Sequence, residues 1–365
     1  MKRLLILQYN ITAYRYDFFN AFCSRYDVMA RLFTNMVGGR VIDPKEYAEK
    51  LNFTYKYLPN YREGKVLSAI KALWYELRTL KPDVVLTNEC NIVPLVVLLY
   101  RFLTCAKFKV VSIIDDSYEM AIGRQAWSRW HPIAEWLMIP WLDEVISLDP
   151  RVTQIFQLKY GKGFYFPIMH EEQRFRGRLE EALPLSTDYV GRYHLENRHV
   201  FLFVGRLVEV KNLPMLIKTF QKLPKEETAL ILVGDGEMKQ NLKQIAGDRE
   251  NIHFTGHLTG KELMAWYHVA DTFILPSTME CYGAVVNEAL VAGCFSIVSS
   301  RAGSQTLIKD GVNGMVFNPS SEESLLRTLR SRMAEKEKMR EGLRQSLMPF
   351  TFGEKINELM NHLEV

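Results

Sequence analysis

Two glutamates eight residues apart, Glu280 and Glu288, and two cations, Arg206 and Lys211, are the residues best suited to chemistry on a charged ligand. The glutamates stand in Thr278-Met279-Glu280-Cys281-Tyr282-Gly283-Ala284-Val285-Val286-Asn287-Glu288-Ala289-Leu290. A turn-prone Tyr282-Gly283 follows the first, and a helical apolar run carries the second. Eight helical residues make a little over two turns, so the pair could share one side of a helix. The turn instead places Glu280 on an entry loop and Glu288 inside the helix. A loop carboxylate can then meet hydroxyls while the free amides of the helix start point at an anion. That suits a ligand with hydroxyls at one end, phosphates in the middle and a ribose beyond. Spacing alone is served more simply by a solvated helix face, because Glu is seldom buried.

Arg206 and Lys211 follow an apolar run that ends in Gly205. Arg offers a planar fork to phosphate oxygens and Lys a mobile point charge. From the residues alone, phosphate binding and ordinary surface cations are equally served. Gly234-Asp235-Gly236 joins a second apolar run to a helix. It reads as a tight turn with Asp235 and Glu237 serving the helix N-terminus, and its glycines would let backbone approach a ligand. His257, after Gly256, is a lone histidine of the kind that is usually structural. Asn313-Gly314 reads as a turn. Asp116, in Ile113-Ile114-Asp115-Asp116-Ser117-Tyr118, either takes a positioning or base role or caps the next helix. No Asp-x-Asp stands where it could hold a metal against phosphates in the second half of the chain, and Asp115-Asp116 is adjacent rather than spaced.

These residues need elements to position them. Strands are expected at Leu4–Gln8, Val28–Leu32, Val84–Leu86, Val110–Ile114, Glu144–Ser147 and Gly163–Phe166. Helices at Asp17–Ser24, Val66–Thr79 and Trp127–Ile139 lie between them. Short apolar strands alternating with helices imply a parallel sheet covered on both faces. A charge-dense stretch, Glu171–Glu181, and a turn-rich one, Leu183–Asp188, read as the passage between domains. A second alternating run starts near His199. A charged helix is expected over Glu322–Leu347, then a break at Gly353 and a last amphipathic helix, Glu354–Leu363. Ligands of such sheets bind at the carboxyl ends of the strands, which points to a site between the domains.

Composition bounds the class. The chain has 365 residues, enough for about two domains, with 48% apolar and 24% charged residues, the balance of a globular protein with ample core. A net charge of +4 calls for no nucleic acid. Cys23, Cys90, Cys105, Cys281 and Cys294 have no metal-ligand spacing and read as buried thiols of a reducing cytoplasm. Met1-Lys2-Arg3 before Leu4–Leu7 imitates a signal peptide, but the run is too short and reads as a buried strand. The apolar run from Ile92 to Tyr100 is too short to span a bilayer. Arg101, Lys107 and Lys109 with Phe102 and Phe108 offer a basic, apolar face for peripheral membrane contact, although a scattered basic surface accounts for them too.

Five pieces occur in an order that resembles the retaining family 4 glycosyltransferases of the GT-B fold, over residues 198–319. They are Phe201-Leu202-Phe203-Val204-Gly205-Arg206-Leu207 with Lys211-Asn212; Leu230-Ile231-Leu232-Val233-Gly234-Asp235-Gly236-Glu237; Ile252-His253-Phe254-Thr255-Gly256; the Glu-x7-Glu segment; and Gly293-Cys294-Phe295-Ser296-Ile297-Val298 with Gly303 and Asp310-Gly311-Val312-Asn313-Gly314. The resemblance implies an α/β fold of two Rossmann-like doubly wound domains facing a cleft. It implies an acceptor-side domain at 1–170 joined by a C-terminal helix at 350–365, an interdomain segment at 171–197 and a donor domain at 198–349. By the same resemblance, Arg206 and Lys211 neutralise the departing diphosphate, Glu280 contacts the donor sugar, and Glu288 holds the ribose. The amides of Cys281, Tyr282, Gly283 and Ala284 meet sugar and phosphate, Gly205 and Gly234 bring backbone close, and Gly256 and His257 lie by the nucleobase. The implied donor is a nucleotide diphosphate sugar, used without metal or other cofactor. The implied acceptor is a glycan or lipid-linked glycan of cell-surface polysaccharide or lipopolysaccharide synthesis. A nucleotide-sugar epimerase of the same fold, or a silent nucleotide-sugar-binding protein, would share the motifs. Three stretches depart from the family: Ile11–Phe19 has no glycine pair, Asp115-Asp116 stands where a histidine is frequent, and Ala302-Gly303-Ser304-Gln305-Thr306 replaces paired glycines and a glutamate.

Overall fold

The computed structural model describes residues 1–365 apart from 38–39, 42, 124–127, 334–341 and 365. It divides into two compact units, Met1–Met169 with Gly353–Val365, and His170–Phe352. The first is built on seven parallel strands: β1 (Lys2–Gln8), β2 (Tyr26–Leu32), β3 (Thr54–Tyr57), β4 (Val84–Asn88), β5 (Lys109–Ile114), β6 (Glu144–Ser147) and β7 (Phe164–Tyr165). Their order is β3-β2-β1-β4-β5-β6-β7. Leu4 to Leu7 of β1 are at most 1% exposed. A central parallel strand is covered on both faces, so its apolar residues run on instead of alternating. Edge strand β3 has no counterpart in the sequence reading, because Thr-Tyr-Lys-Tyr contains no apolar run and stays half exposed.

The second unit repeats the design with six parallel strands: β8 (His199–Val204), β9 (Thr228–Val233), β10 (Ile252–Gly256), β11 (Thr272–Leu275), β12 (Phe295–Ser299) and β13 (Gly314–Phe317). The order β10-β9-β8-β11-β12-β13 is the doubly wound order of a Rossmann sheet. All six residues of β9 are buried. Phe201, Phe203, Leu216, Leu230 and Leu325 belong to one apolar core on a face of this sheet.

Several helices differ from expectation. Asp17–Ser24 is a helix at Tyr16–Ala21 with a 3-10 turn at Phe22–Ser24. The stretch expected at Trp127–Ile139 is helical over His131–Met138 and ends in a 3-10 turn at Ile139–Trp141, while Trp127 lies outside the described residues. Leu183–Asp188 is no turn region. It opens a helix, Leu183–Arg192, with Pro184 in its first turn, where proline costs no hydrogen bond. Tyr189 of that helix stacks on Trp266 at 4.6 Å. The charge-dense stretch is likewise a helix, Glu172–Glu180, capped by the Glu171 carboxylate on the amides of Gln173 and Arg174.

The helix expected over Glu322–Leu347 is described only as Glu322–Met333, since 334–341 lie outside the described residues, and 343–348 is not helical. There Arg344 donates to the carbonyls of Tyr267, His268 and Ala270. These lie at the end of the Gly260–Val269 helix, where carbonyls lack intrahelical partners. The cysteines are not uniformly buried. Cys90 and Cys294 are, Cys23 and Cys281 are half-buried, and Cys105 is exposed.

The last helix, Phe352–Glu364, docks on the first unit. Ile356, Leu359, Met360 and Leu363 are buried. Arg25 donates to Asn361 at 2.8 Å, and the Lys109 ammonium donates to the Leu363 carbonyl at 2.9 Å. His362 bonds Glu144 at the start of β6.

Candidate functional site

The residues singled out in the second half of the sequence gather at one edge of the second sheet, beyond the carboxyl ends of β8, β9, β10 and β11. Such an edge is where doubly wound sheets hold ligands. Past β8 the chain turns through Gly205 and Arg206 into a 3-10 turn at Glu209–Lys211. Past β11 it runs through Thr278 to Glu280. Thr278 donates its amide (2.9 Å) and its hydroxyl (3.3 Å) to the Val210 carbonyl, which fixes one loop against the other. That contact brings the Lys211 ammonium onto the Glu280 carboxylate as an ion pair, with side-chain exposures of 15% and 19%. Arg206 is exposed and forms no ion pair among the described residues. The edge therefore carries one neutralised pair and, in Arg206, an exposed cation not paired among the described residues that can meet an anion.

Glu280 lies on the loop and Glu288 in the Val285–Val291 helix, as the Tyr-Gly turn predicts. The Ala302–Thr306 segment braces this loop. Gly303 donates to the Glu280 carbonyl at 3.2 Å and Ser304 to the Tyr282 carbonyl at 2.8 Å. A Cβ on Gly303 would fall 2.3 Å from the Cys281 carbonyl oxygen, so only glycine permits the contact. The Tyr282 ring is buried at 3% exposure and Cys281 is half-buried, so what this loop can present to a ligand, from Cys281 to Ala284, is chiefly backbone.

The glycines past β8 and β9 serve each other. Gly234 has φ 140°, and a Cβ there would stand 1.9 Å from the Gly205 carbonyl oxygen. Close approach of the two loops thus explains Gly234. The Asp235 side chain does not cap a helix. It accepts from its own following amide, Gly236, and pairs with Lys239, and the hydrogen bond from Lys239 is the main cause that lowers its pKa. The following helix, Lys239–Ala246, has no side-chain cap. The Gly256 carbonyl accepts from the Gly234 amide at 2.8 Å, and His257 is exposed, its charge acting on Asp235. Asn313 is a buried staple more than a simple turn, donating to the Leu307 and Leu347 carbonyls and accepting from the Lys309 amide.

Glu288 has two partners that sequence reasoning did not find. The Tyr267 hydroxyl donates to one carboxylate oxygen at 2.6 Å and His170 Nε2 lies 3.2 Å from the other. Burial on its own would raise the Glu288 pKa. The His170 hydrogen bond and charge, the Tyr267 hydroxyl and the Arg178 charge outweigh it and hold the carboxyl below its ordinary value. Burial and the same carboxylate push the Tyr267 hydroxyl well above its own. Glu288 is thus held ionised and fixed in direction. No local motif marks His170 or Tyr267, because each is far from Glu288 in sequence.

Asp116 belongs to the first unit, after β5. The helix-capping role falls to its neighbour Ser117, whose hydroxyl accepts from the Met120 amide. Asp116 is 1% exposed and bonds His131 Nε2 at 2.9 and 3.1 Å. Asp115 pairs with buried Arg15 at 2.5 Å. Glu89, at φ 60°, accepts from the Asp115 amide. Glu135 Oε1 lies 3.6 Å from His131 Nε2.

Burial, with the Asp115 and Asp116 charges, pushes Glu89 up to about 8. Burial and Asp116 push Glu135 up to about 8, and the Asp116 hydrogen bond raises His131. Ligand atoms of Glu89, Asp116 and His131 lie within 4.8 Å of one another, the one such trio among the described residues. Near neutral pH the raised carboxyl of Glu89 holds a proton that competes with any cation for its oxygens.

Raised values mean that the folded unit binds more protons than the unfolded chain between the ordinary carboxyl range and about 8. Stability contributed here is therefore present at low pH and lost as pH rises. The melting temperature of the chain is expected to fall from pH 6 to pH 9, and Glu135→Gln, a neutral mimic, to flatten that fall. Calorimetry across the range checks it, and an identical slope for the variant contradicts it.

Comparison with known proteins bears on the family and the fold. Residues 192–346 match the sequence profile of glycosyl transferases group 1. An uncharacterized glycosyltransferase of Methanocaldococcus jannaschii is 34% identical over 134 residues, which are 36% of this chain and 34% of that protein. Lipopolysaccharide 1,2-N-acetylglucosaminetransferase of Salmonella typhimurium is 27% identical over 157 residues, 39% of this chain and 41% of that one. The chain thus spans well under half the length of these curated relatives. The crystal structure of Anabaena HepE in complex with UDP is similar in fold, with a TM-score of 0.77 over 99% of both chains at 15% identity. Residues 192–346 thus match the glycosyl transferases group 1 family, and the whole chain is similar in fold to GT-B glycosyltransferases. The family match lies wholly within the second unit, and the similarity in fold extends over the first.

Proposed function

We propose that this protein is a retaining glycosyltransferase that moves a sugar from a nucleotide diphosphate sugar to an acceptor hydroxyl. The observation that carries the reading is the Lys211–Glu280 pair beside exposed Arg206 at the carboxyl edge of the second sheet. Arg206 and Lys211 receive the diphosphate, and Glu280, released from Lys211, turns to the sugar hydroxyls. Glu288, held by Tyr267 and His170, accepts from the ribose hydroxyls. Backbone from Cys281 to Ala284 lines the sugar and phosphate, with Gly205, Gly234, Gly256 and His257 toward the nucleoside. The first unit takes the acceptor. Asp116, enclosed by His131, acts as a positioning group there and not as a free base.

In the reaction the bond from the anomeric carbon to the diphosphate oxygen breaks, and the acceptor oxygen bonds to the same face. The departing phosphate oxygen takes the acceptor proton. Charge gathers on the diphosphate in the transition state, where fixed cations act most strongly. The Salmonella relative acts on lipopolysaccharide by its name, and the Anabaena structure holds UDP. The first supports a cell-surface glycan or lipid-linked glycan acceptor, and the second a uridine-type donor.

Incubation with a panel of UDP-, GDP- and dTDP-sugars tests the reading. Donor-dependent transfer or slow donor hydrolysis is expected. Epimerised donor without either would assign the chain to the epimerases, and binding without turnover to silent nucleotide-sugar-binding proteins. Activity is also expected to persist in excess chelator, because two cations stand where a metal would act. An absolute Mn²⁺ or Mg²⁺ requirement would overturn the roles of Arg206 and Lys211.

A further inference from the structure

The first unit carries an apolar face with no covering element among the described residues. In the Ile92–Thr104 helix, Val93, Val96, Val97 and Tyr100 are buried in the core. The opposite side presents Leu95, Leu99, Phe102 and Leu103, exposed by 43 to 74%. A helix apolar all round is one that is covered on all sides. The next crossover does the same. Trp130, Ile133, Trp136, Leu137 and Trp141 are exposed by 45 to 65% in and around the His131–Met138 helix. The two stripes meet where the Arg101 guanidinium, one residue before Phe102, donates to the Trp141 carbonyl at 2.6 Å.

With aromatic side chains covering ~150–250 Å² each, these nine residues expose on the order of 1,000 Å², against ~300–600 Å² for the largest patch of a typical monomer. The exposed residues from Ser128 to Trp141 include one cation, Arg129, and no acidic residue.

We propose that this face docks on an anionic lipid bilayer, lying in its interface. Trp rings favour the headgroup level, with aliphatic side chains reaching the acyl boundary. Charge supports lipid over a second copy of the chain. The first unit holds 23 Lys and Arg against 19 Asp and Glu, and the second unit 23 of each, so the whole net charge of +4 lies on the unit that bears the face. Two such faces would repel, whereas an anionic surface attracts them. Arg129 lies 5.5 Å over the Trp130 ring and exposed Lys107 is close in sequence to Phe102, so basic heads can reach phosphates while the rings insert.

The anchor differs from the basic face drawn from the sequence. Arg101 is held by Asp143 and two carbonyls, Lys109 by the last helix, and Phe108 packs on the core. No helix among the described residues is long and apolar enough to cross a membrane, so contact is with one leaflet.

The full chain is tested by cosedimentation with vesicles of phosphatidylethanolamine and phosphatidylglycerol, and with phosphatidylcholine alone. Binding to the anionic vesicles is expected, with a blue shift of Trp emission and weaker binding to phosphatidylcholine. Trp136→Ser and Trp141→Ser, surface changes whose folding is checked by melting, are each expected to lower partitioning about tenfold, the scale of one large apolar side chain. No binding to anionic vesicles overturns the proposal. So does binding that high salt abolishes and the Trp variants leave unchanged, which would be charge alone. Concentration-dependent self-association lost in the same variants would assign the face to a second copy and overturn it too. Transfer to a soluble acceptor is measured separately, so failure here leaves the catalytic reading untouched.

Discussion

Arg206→Ala and Lys211→Ala are each expected to lower turnover by at least ~100-fold, the scale of losing one charge-stabilising group. The two differ in what else they disturb. Arg206 is exposed and has no ion-pair partner among the described residues, so its removal leaves nothing uncompensated and stability should stay within ~0.5 kcal/mol. Lys211 neutralises Glu280, and its removal strands a carboxylate that is 19% exposed. The Arg206 variant is therefore the cleaner measurement. Turnover of both variants with a good donor, alongside their melting temperatures, decides the matter. Near-normal rates in both would show that the diphosphate is bound elsewhere.

The motif glutamates are expected to separate by kinetic signature. In the proposed reading Glu288 holds the ribose, which does not react, so Glu288→Gln should weaken nucleotide binding and raise KM with little change in kcat. Its effect should be matched by Tyr267→Phe, which removes the hydroxyl that aims the carboxylate. Glu280→Gln should depress kcat strongly. It also removes the carboxylate that neutralises Lys211, so free UDP or GDP should bind at least as well as to the parent chain. Titration of the nucleoside diphosphate against each variant, with transfer rates measured in parallel, checks both halves. Loss of nucleotide binding in Glu280→Gln with its retention in Glu288→Gln would reverse the roles. No effect of either would leave the pair with structural roles only, Glu280 on Lys211 and Glu288 on Tyr267 and His170.

What the sequence made legible follows from distance along the chain. The central strands of both sheets show as short apolar runs because they are covered on both faces, and the Tyr282-Gly283 turn correctly separates a loop glutamate from a helical one. Contacts across the fold left no such mark. Glu288 is 118 residues from His170. Asp116 reads as a helix cap by its spacing, yet Ser117 caps and Asp116 turns inward to His131. Gly234 reads as a ligand contact, yet the Gly205 carbonyl already explains why no side chain fits. Leu183–Asp188 reads as a turn on account of its proline, although a first helical turn accepts one. Helical periodicity finds the buried side of Ile92–Thr104, but only the fold reveals that the other side, with Leu95, Leu99, Phe102 and Leu103, is exposed.

The return of Phe352–Glu364 to the first unit sets an order of assembly during synthesis. The second unit is one unbroken stretch, His170–Phe352, and its sheet can close as soon as that stretch has left the ribosome. The first unit cannot finish until Ile356, Leu359, Met360 and Leu363, which complete its apolar packing and follow the whole second unit in the chain, have been translated. Until then the surface that this helix covers stays open to solvent and to chaperones. A stop codon after Thr351 would spare the second unit and cripple the first, and a tag fused directly after the Phe352–Glu364 helix would extend from a segment that the first sheet needs.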